Sequence, residues 1–268
     1  DQPEIHRVDL ASTVLALHAW GTRDVREFQW YEPPAIDRVE ASERLLTMLG
    51  AVDSERQKIT PLGRRMLDLP VHPRLARLLI AAAEENHTEA GATIAALISE
   101  KPIALRDAAA RRQADAARER GLCDLFPMLD LLHEAESARF GASLRDRGID
   151  PVAARQAARV RDDLIRVASR IEARTGESRQ QVEADSDSDE ALLQLLILAY
   201  PDRLVRRRGA EETGVMVGGR GVRLSPRSVV REGELFLALD PRETRRQGVL
   251  ELEVGLASHV QLDWIEKR

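Results

Sequence analysis

The sequence predicts a mainly α-helical protein with a C-terminal β part, in the order winged helix, helical bundle and small β-barrel. Apolar residues recur at helical spacing as far as Leu198, and from Leu204 onwards they alternate with a period of two. Within the first ~70 residues, the predicted order of helix, strand, helix, hairpin and helix is typical of a winged helix. The chain has 268 residues, which is enough for about two domains, each with its own core.

Five segments make up the predicted winged helix. Gly21 ends the first helix, because glycine accepts the left-handed conformation of a helix C-terminus. Thr60 and Pro61 begin the last helix, since the threonine hydroxyl can cap a backbone N–H and proline needs no donor there. The predicted segments are a helix from Leu10 to Gly21, an extended run over Phe28 to Tyr31, a helix from Pro34 to Gly50, a hairpin over Ala51 to Ile59 and a helix from Thr60 to Leu69.

Amphipathic helices after Pro70 predict the bundle. One begins at Pro73 and carries leucines on one face, with Arg74 and Arg77 away from the centre of that face. The stretch from Arg106 to Gly121 is either a weakly anchored helix or a linker. The longest helix begins at Pro151. The apolar residues of the longest helix repeat at intervals of three and four. They are Ala153, Ala157, Val160, Leu164, Val167 and Ile171.

About five strands are predicted after Leu204. The glycine-rich run from Gly218 to Gly221 lies between two short apolar runs and predicts a hairpin turn. The stretch from Leu250 to Leu256 alternates apolar residues with glutamates and glycine, which predicts a strand with one solvated face. We expect a small Greek-key barrel or part of one.

Composition narrows the classes of function. Hydrophobic residues make up 43% of the chain and charged residues 32%, as in a globular protein. Aromatic residues, at 3%, are too few for a nucleic-acid platform built on base stacking. The net charge of −5 argues against a general polyanion binder, and 37 arginines beside three lysines reflect either a GC-rich genome or bidentate phosphate contacts.

Cellular location and chain boundaries follow from simpler features. Cys123 is the only cysteine, which fits a reducing cytoplasm. No apolar run reaches the ~18 residues of a membrane span. The sequence begins with Asp1 and not with Met, so we expect a piece of a longer protein.

The sequence contains no recognisable ATP or metal site. A phosphate-binding loop needs a lysine directly after a glycine, and none of the three lysines follows one. His133 and Glu134 begin like a zinc-protease helix, but position 137 is Ser and not His. The acidic run from Asp185 to Glu190 lacks the glycine and the distal glutamate of a calcium loop. We therefore assign no catalytic residue, metal or cofactor to this chain.

The segment from Arg203 to Arg231 is the main candidate for binding. It holds eight arginines against Glu211 and Glu212, a local charge of +6. Arginines on neighbouring strands can line a groove that follows a phosphate backbone. Alternatively, they form a solvated sheet face that is balanced by acids from elsewhere in the protein. The eight are Arg203, Arg206, Arg207, Arg208, Arg220, Arg223, Arg227 and Arg231.

Seven short strings, in order, span almost the whole chain. Together they resemble the C-terminal accessory region of DEAH/RHA-type ATP-dependent helicases, most closely the HrpB-type branch. The strings are Pro3-Glu4-Ile5 with Asp9-Leu10 and Ala19-Trp20-Gly21; Pro33-Pro34 with Leu49-Gly50-Ala51; Thr60 to Met66; Leu69 to Ala76; Ala95 to Glu100; Ala199 to Arg203; and Gly219-Arg220-Gly221.

The resemblance implies a domain plan. It implies a winged helix over 1–70, a ratchet-like helical bundle over 71–200, and an OB-like β domain over 201–268 that is truncated at its C-terminal end. In such helicases this region follows two RecA-like motor domains, on which the winged helix would pack. The helix from Pro73 to Ala83 would face single-stranded RNA or DNA. ATP and Mg²⁺ are expected only in the motor domains, which are absent from this chain.

The predicted nucleic-acid contacts combine both arguments. Arg74 and Arg77 follow from the resemblance, whereas the others follow from the arginine-rich segment. One departure is Lys101-Pro102, which stands where the HrpB-type branch usually has an Arg-Asp pair. The predicted contacts are Arg74, Arg77, Arg203, Arg206, Arg207, Arg208, Arg220 and Arg223.

The sequence thus favours an accessory region that guides single-stranded nucleic acid for the motor domains of a cytoplasmic ATP-dependent RNA helicase. One alternative is a free-standing winged-helix regulator that binds duplex DNA. The helix from Pro34 to Gly50, which would enter the groove, has a net charge of −1, whereas a groove-reading helix is basic. The other alternative is a scaffold that contacts only protein.

Overall fold

The computed structural model describes residues 9–105, 121–175, 188–209, 212–246 and 249–266. The stretch predicted as a weak helix or linker, Arg106 to Gly121, lies outside these ranges except for its last residue, and so does the acidic run up to Asp187. Within them, no helix is both long and apolar enough to cross a bilayer. The helices are α1 Ala11–Trp20, α2 Ile36–Met48, α3 Pro61–Leu67, α4 Pro73–Glu84, α5 Thr88–Ser99, α6 Phe126–Ser137, α7 Pro151–Thr175, α8 Ser188–Ala199 and α9 Leu262–Glu266.

Nine strands lie within the same ranges. β1 and β2 form a small antiparallel hairpin between α2 and α3, and the other seven strands form one sheet. The strands are β1 Val52–Asp53, β2 Lys58–Ile59, β3 Leu204–Arg207, β4 Thr213–Met216, β5 Gly221–Leu224, β6 Leu235–Ala238, β7 Pro241–Arg246, β8 Val249–Val254 and β9 Ala257–Val260.

The order of α1, α2, the hairpin and α3 confirms the winged helix. α1 ends at Gly21, whose φ of +96° places it in the left-handed region, as predicted. The side-chain oxygen of Thr60 accepts a hydrogen bond from the N–H of Gly63 at 3.0 Å, and Pro61 is the first residue of α3. The residues that predict these two helix ends thus lie at the ends themselves or directly beside them.

The extended run predicted over Phe28 to Tyr31 is not a strand. The chain there follows a 3₁₀ turn, Val25–Glu27, and pairs with no strand among the described residues. The rings of Phe28 and Trp30 instead pack edge to face with centroids 5.1 Å apart, and Trp30 Nε1 donates to the carbonyl of Val25 at 3.1 Å. Aromatic packing on the core therefore replaces sheet pairing.

α4 is buried on nearly all sides, whereas the sequence predicted one apolar face. Leu75 and Leu79 belong to the core shared with the winged helix, α5 and α7. Leu78 and Ala82 belong to a second core, which α4 shares with α8 and the sheet. Ala76 and Ile80 extend the first core and Ala81 extends the second, so the two cores together cover most of the circumference of the helix predicted to face a single strand, Pro73 to Ala83.

α7 is the longest described helix, as predicted, but its buried face is displaced from the predicted seam. Ala153, Val160 and Val167 are only half-buried. A strict seam suits contact with one partner helix, whereas α7 packs against both α5 and α6. The small alanines broaden its contact face. The buried residues are Ala154, Ala157, Ala158, Leu164, Ala168 and Ile171.

The β part is one curled sheet of seven strands, and the prediction of about five was wrong. The strand order is β7-β8-β5-β4-β3-β6-β9, with β5 and β8 parallel and the other neighbours antiparallel. The two missed strands lie at the ends of this order. β7 is polar apart from Pro241, because an edge strand need not bury a face, and β9 carries Ser258 and His259 between two apolar residues. Neither shows a clear alternating pattern.

A short segment preceding α6 covers the outer edge of β9. Cys123 forms an isolated antiparallel β-bridge with Ser258, and the N–H of His259 donates to the carbonyl of Leu122 at 2.7 Å. The buried carboxylate of Asp124 accepts hydrogen bonds from Ser228 Oγ and from the N–H groups of Val229 and Ala257, each at 2.7 Å. We call residues 121–125 the edge segment. It ties the helical part to the sheet.

We expect Gly63→Ala to lower the free energy of unfolding by about 1–3 kcal/mol. A Cβ atom at position 63 would lie 2.2 Å from the carbonyl oxygen of Ala51 and 2.8 Å from a side-chain carbon of Ile59. Urea unfolding measures the change. Gly221→Ala is the control, since its Cβ would meet nothing within 4 Å. Equal stability of the two variants would contradict the close approach of α3 to the hairpin.

Asp124 predicts a pH dependence of stability. Burial raises the pKa of its carboxyl to about 6, against the opposing effect of its hydrogen bonds. A folded-state pKa above the unfolded value means that the folded chain binds more protons between about pH 4 and 6. The free energy of unfolding should therefore fall by up to about 3 kcal/mol as the pH rises through this window.

The matched variant for this effect is Asp124→Asn, which cannot titrate. Urea unfolding from pH 4 to 7 should show the fall in the native chain and a flatter profile in the variant, whatever the variant's absolute stability. Parallel pH profiles would show that Asp124 ionises with its ordinary pKa.

Candidate nucleic-acid interface

Three of the sequence strings meet at one cleft between the helices and the sheet. They are the start of α4, the end of α5 and the 3₁₀ turn Pro201–Arg203 that leads into β3. The cleft has a volume of about 730 Å³. We call it the junction cleft. Its charged and polar lining residues are Asp9, His72, Arg74, Ser99, Glu100, Asp163, Tyr200, Arg203 and Asp240.

Arg74 forms the main polar contact across this junction. Its Nη1 and Nη2 atoms donate to the two carboxylate oxygens of Asp202 at 2.5 and 2.7 Å, and Nη1 also donates to the carbonyl of Ala199 at 3.2 Å. Its guanidinium carbon lies 5.3 Å from the ring centroid of Tyr200. The side chain is 8% exposed. Arg74 thus holds α4 to the chain that enters the sheet.

The electrostatics of Asp202 and Arg203 agree with this geometry. Burial alone would raise the pKa of Asp202, but the hydrogen bonds and charge of Arg74 outweigh burial and hold that pKa below its ordinary value. Arg203 donates to the carbonyl of Leu239 at 2.7 Å and lies 5.4 Å from the Tyr200 ring centroid. Burial lowers the pKa of Arg203. Tyr200 thus contacts two guanidinium groups.

His72 and Asp9 complete the start of α4. His72 Nδ1 accepts a hydrogen bond from the N–H of Arg74 at 3.2 Å, so Nε2 carries the proton and faces Asp9 Oδ1 at 3.1 Å. The hydrogen bond from His72 is the main cause that lowers the pKa of Asp9 to about 2. The imidazole therefore orients α4 and pairs with a carboxylate at the same time.

The junction cleft is more acidic than basic. Asp9, Glu100, Asp163 and Asp240 line it together with two arginines, and Asp202 neutralises one of these, Arg74. Arg77, one turn further along α4, is half-buried. Arg74, which the resemblance implies as a contact for a single strand, is buried here and forms an internal ion pair with Asp202. Nucleic-acid contact by Arg74 and Arg77 stays a prediction.

The predicted arginine patch on the sheet divides into separate places. Arg208, Arg220 and Arg223 line one hollow of about 370 Å³ over β4, β5 and β8. We call it the arginine hollow. Arg203 lies in the junction cleft instead, and Arg206 is exposed on the strand face opposite Val205. The structure therefore brings together three of the six arginines predicted on the β part.

Arg207 stabilises the sheet through contacts of its own side chain. It donates through Nε to the carbonyl of Gly233 at 3.0 Å and through Nη2 to the carbonyl of Val230 at 3.2 Å. Its guanidinium carbon lies 5.1 Å from the ring centroid of Phe236, which is fully buried. These contacts hold the loop before β6 against β3. Its predicted contact with nucleic acid, like that of Arg206, stays a prediction.

Sequence reasoning missed the carboxylates of the arginine hollow. Arg220 Nη2 lies 3.0 Å from Glu243 of β7, and Arg223 Nε lies 3.1 Å from Glu251 of β8. A third arginine of the segment, Arg231, pairs with Glu212 at 3.0 Å. The alternation of glutamates with apolar residues in β8 indicated that Glu251 lies on the solvated face of that strand. Only the parallel pairing of β5 and β8 brings Glu251 to Arg223.

The described residues contain no group of three or more His, Cys, Asp or Glu side chains that could hold a metal ion. Cys123 is buried, and burial raises the pKa of its thiol to about 12, so it is not a reactive thiolate. In the described parts of the chain, the two sites present arginines, carboxylates and backbone groups that can bind a ligand.

Comparison with known proteins agrees with this fold. A profile of the helicase associated domain (HA2), winged-helix, matches residues 42–71. The crystal structure of the DExH-box NTPase HrpB from E. coli superposes on 100% of the chain with a TM-score of 0.64 at 24% identity. It is matched over 27% of its own length. At this identity, the likeness shows a shared fold.

Sequence relatives are RNA helicases. A probable ATP-dependent RNA helicase DHX35 homolog from Caenorhabditis elegans is 28% identical over 195 residues, which is 71% of this chain and 27% of the relative. The ATP-dependent RNA helicase HrpB of Escherichia coli is 36% identical over 101 residues, 38% of this chain and 12% of the relative. The matched part thus spans about a quarter or less of these relatives.

By its fold and by these matches, the chain is similar to helicase-associated regions that contain a winged helix. More particularly, the chain is similar to the C-terminal accessory region of DEAH/RHA-type helicases of the HrpB type, and the resemblance read from its sequence strings is confirmed. The finer names of ratchet-like bundle and OB-like barrel remain proposals.

We expect Arg74→Ala to lower the free energy of unfolding by about 2 kcal/mol, because it leaves the partly buried Asp202 carboxylate without its partner. Asp202→Ala should cost a similar amount. The double variant should cost about 1–3 kcal/mol less than the sum of the two. Urea unfolding measures all three, with Arg64→Ala on the exposed face of α3 as a control of little effect. Additive single effects would contradict a direct ion pair.

Proposed function

We propose that the chain is the accessory region of an ATP-dependent RNA helicase and that it guides single-stranded nucleic acid for motor domains of the same polypeptide. ATP and Mg²⁺ belong to those motor domains in this proposal. The observation that carries it is the arginine hollow, in which Arg208, Arg220 and Arg223 meet on one solvated part of the sheet. The similarity to RNA helicases supplies the context.

The hollow has the chemistry of a phosphate-backbone contact. A guanidinium group presents parallel N–H donors that match two oxygens of a phosphate. The ion pairs of Arg220 and Arg223 are partly exposed, and exposed pairs contribute only about 0–1 kcal/mol, so a phosphate can replace the carboxylates. Among the residues that the structure describes, none of those lining the hollow is aromatic. Binding there reads charge and not base identity.

The junction cleft has a different role in this proposal. Its surplus of carboxylates repels a phosphate backbone, and its arginines contact Asp202, Tyr200 and backbone carbonyls. We therefore assign it to holding the sheet at a fixed position relative to α4. A fixed sheet keeps the arginine hollow at a constant distance from the helical part, which a guide for a moving strand requires.

The second candidate function is a regulator that binds duplex DNA. It requires α2 to enter a groove of the duplex, so the charges of α2 bear on it. Arg44 lies 3.6 Å from Glu40 on the same helix. A second glutamate, Glu43, lies 3.8 Å from the buried His18 of α1. The arginines of α2 are thus accompanied by acids along the helix, which disfavours entry into a groove.

Single-stranded RNA should bind the chain with an affinity that falls as the salt concentration rises. The triple change Arg208→Ala, Arg220→Ala and Arg223→Ala should weaken binding by at least about tenfold at low salt and flatten the salt dependence, because about three phosphate contacts are lost. Fluorescence anisotropy with a labelled oligouridylate measures both quantities.

The control is a triple change of the same charge in the winged helix, Arg44→Ala, Arg56→Ala and Arg64→Ala. It should leave binding of the single strand nearly unchanged. If the control weakened binding and the hollow variant did not, or if duplex DNA bound better than the single strand, the winged-helix regulator would be favoured. Absence of any salt-dependent binding would favour a scaffold that contacts only protein.

A further inference from the structure

We infer that Glu243 and Glu251 act as built-in competitors for phosphate in the arginine hollow and thereby hold its affinity for a single strand low. The inference rests on the proposed function and adds to it the residues that set the strength of binding. Both carboxylates lie against the guanidinium groups that a phosphate would use.

The arginines and the carboxylates of the hollow come from different ribbons of the sheet. Arg220 and Arg223 lie on the β4–β5 hairpin, and Glu243 and Glu251 lie on the antiparallel pair of β7 and β8. Among the described strands, the two ribbons are hydrogen-bonded along the parallel pair of β5 and β8, which is in register at Arg223 with Glu253 and at Leu224 with Val254. The carboxylates are therefore placed across the hollow by the fold and not by neighbouring sequence.

The two ion pairs differ in accessibility. The side chains of Arg220 and Glu243 are 59% and 56% exposed, whereas those of Arg223 and Glu251 are 33% and 31% exposed. Water screens the first pair more strongly, so an incoming phosphate displaces Glu243 more easily than Glu251. Arg208 forms no ion pair within the described ranges.

Carboxylate and phosphate oxygens compete because both accept hydrogen bonds from the same guanidinium donors. After displacement, each glutamate stays within several ångströms of the bound phosphate and repels it. For two unit charges roughly 6 Å apart in a water-like medium, this repulsion weakens binding by about threefold per carboxylate. The two together amount to about tenfold. Weak, exchangeable contacts of this kind let a strand slide past the hollow.

The test is the double change Glu243→Gln and Glu251→Gln, which keeps the size of both side chains and removes their charge. Its control is Glu55→Gln and Glu85→Gln, two exposed glutamates outside the hollow that change the net charge by the same amount. Anisotropy titration of both variants and the native chain uses the same labelled oligouridylate at low and high salt. Circular dichroism checks that all three chains are equally folded.

We expect the hollow variant to bind about tenfold more tightly than the native chain at low salt, with a smaller gain at high salt because screening weakens the removed repulsion. The control should bind like the native chain. Unchanged or weaker binding by the hollow variant, or equal tightening by the control, overturns the inference while the proposed function stands. If no chain binds the RNA at all, the proposed function fails, and the inference fails with it.

Discussion

The ion pair of Arg74 and Asp202 is the contact on which the arrangement of the helices and the sheet depends. A buried arginine is costly unless its donors are satisfied, and here two carboxylate oxygens, a carbonyl and an aromatic face satisfy it. α4 supplies side chains to two cores, so fixing its first turn fixes both. β3 begins directly after the turn that carries Asp202, and Arg208 follows the end of β3. The position of the arginine hollow therefore derives from this pair.

Most of the fold could be predicted from the sequence where the signal is local. The cap at Thr60, the left-handed Gly21 and the long helix from Pro151 each depend on neighbouring residues, and the structure confirms them. The misses depend on contacts that are distant in sequence. β7 is recognisable only through its partner β8, because its own residues are polar on both faces. The burial of α4 on two sides depends on elements that lie before and after it in the chain.

The candidate site shows the same difference between local signals, which the sequence reveals, and distant contacts, which it does not. Composition identified the arginine-rich segment, and three of its members do share one hollow. Counting charges within that segment gave a strongly positive patch, whereas Glu243 and Glu251 arrive from strands outside it and balance two of the arginines. The resemblance assigned Arg74 to contact with a single strand, and local sequence cannot reveal that Asp202, 128 positions later, faces it. Spacing identifies residue types near a site, and topology decides which charges remain available.

The edge segment joins the sheet to the helical part through hydrogen bonds. It contributes hydrogen bonds to β9 from a part of the chain that lies 133 positions earlier. Cutting the polypeptide after Tyr200 would remove the edge segment from the outer side of β9 and leave the N–H groups of Val229 and Ala257 without the Asp124 carboxylate, which favours edge-to-edge aggregation. The architecture thus changes from helices to strands near Tyr200, but hydrogen bonds from the edge segment still join the two parts.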